Sequence, residues 1–505
     1  MSTPPEAAGA ADTYTPAEAQ FNARRTAVGL LLGPALFVLL LLLPLPVEPA
    51  AHRMAAVMGL VVVFWVTEAL PLAVTALVGP VLAVILGVAP VREALASFAD
   101  PVVFVFIGGF IIAEAMFVHG VDRRIAYTAL ASKFVGAGAG RILVVFGGVS
   151  MVLSMWMSNT ATTAMMFPIC LSIVAHLTRT GANGGPQFAL VMMLITSFGA
   201  SIGGMATPVG TPPNLIGIGM LERITGTDIT FFQWMLIGLP AAVVMFAYLA
   251  VFFYLTGARG VELGRGSMAA VREELAKLGP MTRGQRNVFL AFGITVTLWV
   301  LPGFMALAGL DGTPAAQAYA RAFPESVAAM TGALLLFVLP IDWGARRFTL
   351  TWEQAVRIDW GIVMLYGGGL AMGQLVFTTG LAEAMGQGIT SWLPSQTSVA
   401  LTILFTASAI VLSEATSNTA AANMIVPIAI AVAQAAGVRP IEPALGATLG
   451  ASMGFMMPVS TPPNAIVYSS GFVPITSMMR YGVSLDVVGF VVIVVTVLLL
   501  GPILF

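Results

Sequence analysis

Apolar runs of about 20 residues dominate this chain and alternate with short polar stretches. A run of about 20 apolar residues can cross the hydrocarbon core of a bilayer as one helix. The pattern therefore predicts an all-α polytopic membrane protein. The predicted spans lie near residues 27–46, 55–69, 71–90, 102–119, 231–254, 288–309, 325–340 and 484–504, with a further span that begins at Asp359-Trp360.

Two apolar segments, about 141–178 and 397–437, are interrupted by the same polar triplet. The triplet is Ser158-Asn159-Thr160 in the first segment and Ser417-Asn418-Thr419 in the second. Small polar groups are unfavourable at membrane depth unless they find partners, and non-helical backbone is tolerated there only where it is buried or lines a cavity. Each segment therefore predicts two half-length helices that meet at a tip, which is a re-entrant hairpin.

A second motif, Thr-Pro-Pro-Asn, follows each hairpin at residues 211–214 and 461–464. The window 207–214 holds three prolines, which exclude a continuous helix there. The two copies of this motif are 250 positions apart, and the two triplets are 259 positions apart. Similar offsets at separate landmarks indicate an internal repeat, in which each copy carries one hairpin and one broken helix.

The distribution of basic residues predicts the orientation. With a cytoplasmic N-terminus, 17 of the 22 Lys and Arg fall on the cytoplasmic side, as the positive-inside rule requires. This topology has about 11 transmembrane helices, namely one helix followed by two repeats of five. Because each repeat has an odd number of helices, the second repeat is inverted in the membrane relative to the first. The predicted parts are a disordered cytoplasmic tail (1–26), a first transmembrane helix (27–54), inverted repeat 1 (55–256), a cytoplasmic linker (257–287) and inverted repeat 2 (288–505), with an extracytoplasmic C-terminus.

Composition agrees with this class and excludes several functions. Of the 505 residues, 58% are hydrophobic and 9% are charged, against about 25% charged in soluble domains; the mean hydropathy is +0.95. The single cysteine, Cys170, excludes a disulfide within the chain and a Cys-rich metal site. The sequence holds no basic patch that would bind nucleic acid and no catalytic pair typical of a membrane-embedded hydrolase. We therefore expect neither a nucleic-acid partner nor enzymatic activity.

The repeated motifs predict an anion-binding site that contains no Lys or Arg. The helix that leaves each tip would point its N-terminus, with free N–H groups and partial positive charge, at a shared position. Asn159, Thr160, Asn418 and Thr419 add neutral hydrogen-bond donors. Burying an ion costs several kcal/mol, whereas a helix terminus returns about 0.3–2 kcal/mol. Binding a dianion in a buried site would therefore require bound cations such as Na⁺, and we predict that such cations are present.

Oxygen atoms for Na⁺ occur in both halves of the repeat. The first set is Ser154, Ser158 and Asn159 with the backbone near Gly210, and the second is Ser413, Thr416, Ser417 and Asn418 with the backbone near Ser460. Unwound backbone beside half-helix ends is a known way to coordinate Na⁺.

Two acidic residues lie near apolar or repeated segments of the sequence. Glu68 and Glu414 could carry a proton or an ion within the membrane. For Glu68 a structural role at the turn Leu70-Pro71 is favoured. An anion channel is a further alternative, but the broken helices and the shared midplane site argue against a continuous pore.

The paired triplets, the paired Thr-Pro-Pro-Asn segments and the stretch TEALPLAVTAL (67–77) resemble those of the divalent anion/sodium symporters, from about residue 27 to the end. The resemblance implies a homodimer in the lipid of a bacterial cytoplasmic (inner) membrane, with a transport domain that moves as an elevator. It implies import of C4-dicarboxylates coupled to Na⁺, with a Na⁺-independent exchanger, or a tricarboxylate or sulfate carrier, as alternatives.

The resemblance also assigns residues to the two kinds of site. The substrate contacts it implies are Asn159, Thr160, Thr211, Asn418, Thr419, Thr461 and Pro462. The Na⁺ ligands it implies are Ser154, Ser158, Asn159 and Gly210 in the first site, and Ser413, Thr416, Ser417, Asn418 and Ser460 in the second.

Overall fold

The computed structural model describes residues 16–132, 134–135, 138–180, 185–261 and 269–505, and these residues are almost entirely helical. The helices of the first half are α1 (Pro16–Leu42), α2 (Pro49–Thr67), α3 (Leu72–Ile85), α4 (Val91–Ala96), α5 (Pro101–Val118), α6 (Val121–Leu130), α7 (Ala139–Ser154), α8 (Asn159–Thr180), α9 (Gly185–Gly204), α10 (Pro212–Thr225), α11 (Phe231–Phe253) and α12 (Ala269–Lys277). A 3₁₀ turn, Ser97–Ala99, joins α4 to α5, and a π-helical turn, Tyr254–Ala258, extends α11.

The second half has the same character and contains one small hairpin of strands. Its helices are α13 (Arg283–Leu307), α14 (Pro314–Ala322), α15 (Glu325–Val338), α16 (Trp352–Ala355), α17 (Trp360–Thr378), α18 (Leu381–Thr390), α19 (Ser398–Ala415), α20 (Asn418–Ala435), α21 (Ile441–Gly450), α22 (Pro462–Tyr468) and α23 (Ile475–Leu504). Strands β1 (Pro340–Asp342) and β2 (Arg347–Phe348) pair antiparallel between α15 and α16.

The number of membrane-crossing helices agrees with the sequence. Within the described ranges, ten helices are long and apolar enough to cross a membrane, and eleven if the bent pair α14 and α15 forms one span. The hairpins are broken at the predicted triplets, between α7 and α8 and between α19 and α20. The all-α polytopic fold with about 11 spans is therefore confirmed.

Local backbone features recur in the two halves. Asp100 caps α5 by accepting a hydrogen bond from the Val102 amide, and Asp359 caps α17 in the same way through the Ile362 amide. The short helices α6 and α18 follow α5 and α17, and each is preceded by a glycine in the left-handed region. Helix α18 therefore corresponds to α6 in the second half of the chain, and both helices are amphipathic.

The ends of several elements differ from the sequence-based boundaries. The first helix begins at Pro16 and ends at Leu42, so the tail predicted over 1–26 is helical from residue 16, and residues 1–15 lie outside the described part. Proline at the first helical position needs no acceptor for an N–H, and Pro44 and Pro46 prevent continuation. Helix α2 begins at Pro49, within the range predicted for the first transmembrane helix.

The linker predicted over 257–287 is also shorter than expected. It contains the helix α12, and α13 already begins at Arg283 because Thr282 and Gln285 form a capping box there. Residues 262–268 of this linker lie outside the described part.

The helices that carry the motifs lie at the centre of the chain. Every residue from Phe188 to Gly204 of α9 is buried, as is every residue of α21. Helix α7 packs on α9, and α19 packs on α21, so each hairpin is supported by its own broken helix. A helix that is apolar on all sides is stable in a buried position like that of α9 or α21. By contrast, α1 is largely exposed within this chain.

Candidate functional site

Each triplet forms the start of a helix, and its serine is the N-cap. The Ala161 amide donates to Ser158 Oγ at 3.2 Å, and the Ala420 amide donates to Ser417 Oγ at 3.2 Å. Serine is among the preferred N-cap residues because its hydroxyl accepts from one of the amides that lack a partner in the helix. Asn159 and Asn418 are therefore the first residues of α8 and α20.

A serine one turn before each tip fixes the orientation of the asparagine. Ser154 Oγ donates to Asn159 Oδ1 at 2.7 Å, and Ser413 Oγ donates to Asn418 Oδ1 at 2.7 Å. Both serines are fully buried. The hydrogen bonds direct the two amide oxygens toward the interior of the hairpins, and Asn418 Nδ2 donates to the Ser452 carbonyl at 3.3 Å.

Two further helices are broken, between α9 and α10 and between α21 and α22. The asparagines of the Thr-Pro-Pro-Asn motifs stabilise these breaks. Asn214 Nδ2 donates to the carbonyls of Gly204 (2.8 Å) and Thr207 (2.7 Å). Asn464 Nδ2 donates to the carbonyls of Gly454 (2.9 Å) and Met457 (3.1 Å). One side chain thus satisfies two carbonyls that a continuous helix would have satisfied, which explains how unwound backbone is stable in the interior.

The four helix starts meet at one cavity of about 420 Å³. Its walls include Ser158, Asn159, Thr160, Thr211, Pro212, Ser417, Asn418, Thr419, Ser460, Thr461, Pro462 and Pro463. The N-termini of α8, α10, α20 and α22 therefore face a common space. All seven residues predicted to contact substrate line it.

The charge of this cavity is carried by its helix ends rather than by basic side chains. Among the described residues that line it there is no Lys, Arg or His, and Asp359 is the single charged residue. The first amides of α8 and α20 lack an acceptor within their own helix, whereas α10 and α22 each begin with two prolines, which have no N–H to offer. Each helix N-terminus carries about half a positive charge. The arrangement favours an anion, whereas Asp359 at the wall disfavours one.

The residues predicted to bind Na⁺ divide into two groups. Five of them line the cavity, namely Ser158, Asn159, Ser417, Asn418 and Ser460. The other four, Ser154, Gly210, Ser413 and Thr416, are buried behind the cavity wall. The Thr416 hydroxyl donates to the Leu412 carbonyl at 2.9 Å, which leaves its lone pairs free to coordinate an ion.

Gly210 brings backbone oxygens together. A Cβ at this position would lie 2.6 Å from the Gly204 carbonyl oxygen and 2.9 Å from the Ser154 carbonyl oxygen. A Cβ at Gly204 would lie 2.3 Å from Asn159 Oδ1. Carbonyl and amide oxygens from three segments thus converge around Gly210, and a hard cation such as Na⁺ prefers such ligands.

Part of the cavity wall was not assigned from the sequence. Pro71, Leu72 and Ala73 at the start of α3 line the cavity, and so do Asp359 and Gly361 at the start of α17. The available signals were the stretch TEALPLAVTAL and the capping aspartate at Asp359. Neither signal says which distant segment lies against the hairpin tips.

Glu68 has the structural role that was favoured for it. It ends α2 in the left-handed region (φ 48°), and its carboxylate lies 2.8 Å from Arg25 Nη2. Glu414 differs, because it is 3% exposed and forms no ion pair among the described residues.

A second cavity, of about 230 Å³, contains three carboxyl groups and no repeated motif. Glu222, Asp228 and Glu325 line it together with apolar side chains such as Trp299. Its charge would repel an anion, and we therefore place the candidate site at the four helix starts.

Comparison with known proteins agrees with this geometry. The family model for the sodium:sulfate symporter transmembrane region matches residues 24–505. The chain is 31% identical to the sodium-dependent dicarboxylate transporter SdcS of Staphylococcus saprophyticus over 484 residues, which cover 94% of this chain and 91% of that protein. It is 33% identical to an uncharacterized transporter of Haemophilus influenzae over 481 residues, which cover 94% and 97%.

Among solved structures, the YdaH transporter of Alcanivorax borkumensis has a similar fold. The TM-score is 0.50 at 13% identity, over 80% of this chain and 85% of that chain. Because the family model covers nearly the whole sequence, the chain belongs to the family of the sodium:sulfate symporter transmembrane region, and it is a membrane transporter rather than an enzyme.

Proposed function

We propose that this protein imports C4-dicarboxylates, of the succinate, malate and fumarate class, together with Na⁺. The observation that carries the proposal is the convergence of four helix N-termini on one cavity without basic side chains among its described lining residues. Two hairpin tips offer two separate sets of amides, which suits an anion with a carboxylate at each end. The relatives named as sodium-dependent dicarboxylate transporters support the same substrate class and the same ion.

Na⁺ supplies the charge that the cavity lacks. The helix ends and neutral donors return less than the desolvation of two carboxylates costs, and Asp359 adds a negative charge at the wall. In our proposal, one Na⁺ binds among Ser154, Ser158, Asn159 and Gly210, and another among Ser413, Thr416, Ser417, Asn418 and Ser460. Binding of Na⁺ then increases the affinity for the dicarboxylate, and binding of the dicarboxylate increases the affinity for Na⁺ by the same factor.

Alternating access follows from the proposed arrangement of the repeats. We infer that repeat 2 is inverted relative to repeat 1, so that the hairpins enter from opposite faces of a bacterial inner membrane and move together as an elevator within a homodimer. The proposal puts the N-terminus in the cytoplasm and the C-terminus outside. Single cysteines introduced at Arg141 and Gln396 in a Cys170→Ser background should react with an impermeant reagent from opposite sides, and labelling from one side would contradict the inversion.

The deciding experiment is transport by the purified protein in liposomes. Labelled succinate should accumulate with an inward Na⁺ gradient and should not accumulate with choline in place of Na⁺. Uptake that needs internal dicarboxylate but no Na⁺ would instead establish the exchanger. Unlabelled citrate and sulfate, added as competitors, distinguish a tricarboxylate or sulfate carrier, because the preferred substrate should suppress succinate uptake most strongly.

A further inference from the structure

The candidate substrate cavity contains one carboxylate that belongs neither to the repeated motifs nor to the proposed Na⁺ sites. Asp359 lines the cavity at the start of α17 and is exposed there. Helix α17 packs against α3, whose first residues line the same cavity. A fixed negative charge weakens the binding of every anion in that space. The charge of Asp359 therefore acts against the very ligand that the four helix N-termini favour.

Capping of α17 accounts for the side chain but not for its charge. Asp359 Oδ1 accepts from the Ile362 amide at 3.2 Å. Thr351 and Thr397 cap the neighbouring helices α16 and α19 in the same way through neutral hydroxyl groups. Asparagine caps a helix about as well as aspartate does, and a negative charge adds only a modest stabilisation at a helix N-terminus. A neutral residue would therefore also serve α17.

The charge of Asp359 has no counter-charge in the described part of the chain. No ion pair involves Asp359 among the described residues, and its Oδ2 atom has no hydrogen-bond partner there. Asp100 caps α5 in the corresponding position, but it is 8% exposed and its Oδ2 lies 3.7 Å from Arg223 Nη1. Of these two capping carboxylates, Asp359 is the one that presents an unpaired charge to the substrate cavity.

We propose that Asp359 limits the charge of the anion that this site accepts, so that the site favours dianions over trianions. This charge limit rests on the proposed function, since it acts at the same site and narrows the same substrate class. The four helix N-termini carry about half a positive charge each, which together balances a dianion. The Asp359 carboxylate repels a bound anion in proportion to the anion's charge. A tricarboxylate therefore loses more affinity than a dicarboxylate does.

Coulomb's law gives the size of the effect. The cavity encloses about 420 Å³, so a bound anion and Asp359 are separated by less than the width of a small ligand and its hydration shell. Two unit charges about 8 Å apart, at an effective dielectric constant between about 20 and 80, change a binding constant by about 2- to 30-fold. Each further charge on the anion multiplies the penalty by this factor.

Asp359→Asn removes the charge and keeps both the shape of the side chain and the cap of α17. The full chain, purified in NaCl, is tested by competition against labelled succinate. The competitors are unlabelled succinate and tricarballylate, at constant ionic strength and at an alkaline pH where both are fully ionised. Both should bind more tightly to Asp359→Asn than to wild type. The preference for succinate over tricarballylate should fall by about 2- to 30-fold.

Two control variants separate the charge from other effects of substitution. Asp359→Glu keeps the charge and should retain the wild-type preference between the two anions. Glu353→Gln removes a charge from an exposed residue of α16 that does not line the cavity, and it should change neither affinity. If Asp359→Asn does not fold, Asp359→Ser takes its place, because serine is also a favourable N-cap.

Three results would overturn the charge limit. They are an unchanged preference in Asp359→Asn, an equal change in Glu353→Gln, and a lower affinity of Asp359→Asn for both anions. The last result would mean that Asp359 holds a cation that the anion requires. A wild type that does not bind succinate would instead contradict the proposed substrate. Labelled sulfate or citrate then replaces succinate, and an affinity of Asp359→Asn for that anion no higher than that of wild type would overturn the charge limit.

Discussion

Gly210→Ala tests whether converging backbone oxygens bind Na⁺. The new Cβ would lie 2.6 Å from the Gly204 carbonyl oxygen and 2.9 Å from that of Ser154, where ordinary contact begins at 3.4 Å. The two carbonyls would have to retreat by about 0.8 Å and about 0.5 Å, respectively. Ligand distances in ion sites are held to about 0.2 Å, so at least one ion contact would be lost.

The expected size of the effect follows from that loss. A contact to a charged group is worth about 1.5–3 kcal/mol, so the half-saturating Na⁺ concentration for succinate uptake should rise by about 10- to 100-fold. Overpacking of the interior should also destabilise the protein by about 1–3 kcal/mol. The assay is uptake into proteoliposomes over a series of Na⁺ concentrations, with the amount of folded protein determined by gel filtration.

Gly388→Ala is the matched control, because it adds the same methyl group to a helix where nothing lies within 4 Å of the new atom. Gly454→Ala should have an intermediate effect in the second half, since its nearest neighbour, Asn418 Oδ1, would be 2.9 Å away. A folded Gly210→Ala protein with the same Na⁺ dependence as Gly388→Ala would refute the assignment of these carbonyls to a Na⁺ site.

Three further substitutions probe other parts of the site. Asn418→Ala should reduce succinate uptake at least about 100-fold without loss of folded protein, because it removes a donor to the anion and an oxygen from a proposed Na⁺ site; near-normal uptake would contradict the shared site. Arg223→Ala leaves the buried Asp100 carboxylate without its ion pair, so the thermal unfolding midpoint should fall, and an unchanged midpoint would show that this pair does not stabilise the fold. Ser197→Ala removes the 2.6 Å hydrogen bond to Asn464 Oδ1, which should lower the free energy of unfolding by about 1–3 kcal/mol, and a stability equal to wild type would show that Asn464 finds another donor.

The pair of repeats illustrates how much local sequence determines. The triplets and the Thr-Pro-Pro-Asn motifs predicted every break in the hairpins and in the two broken helices, because proline and N-capping serine act on the backbone within one turn. Element ends were less accurate at α1, α2 and α13, where proline and a capping box extend the helices beyond the apolar runs. The membrane class followed from the apolar runs, with which the composition agrees, since only a bilayer accommodates so many long apolar runs.

Only the tertiary structure decided which distant segments share a space. Thr211 and Thr461 are 250 positions apart, yet packing brings their helix starts into one cavity with Leu72 and Asp359. Helix α19 likewise packs on α23, and no periodicity in either helix identifies the partner. A hydrophobic pattern records which face of a helix is buried, but the partner of that face depends on how all the helices fill the interior together.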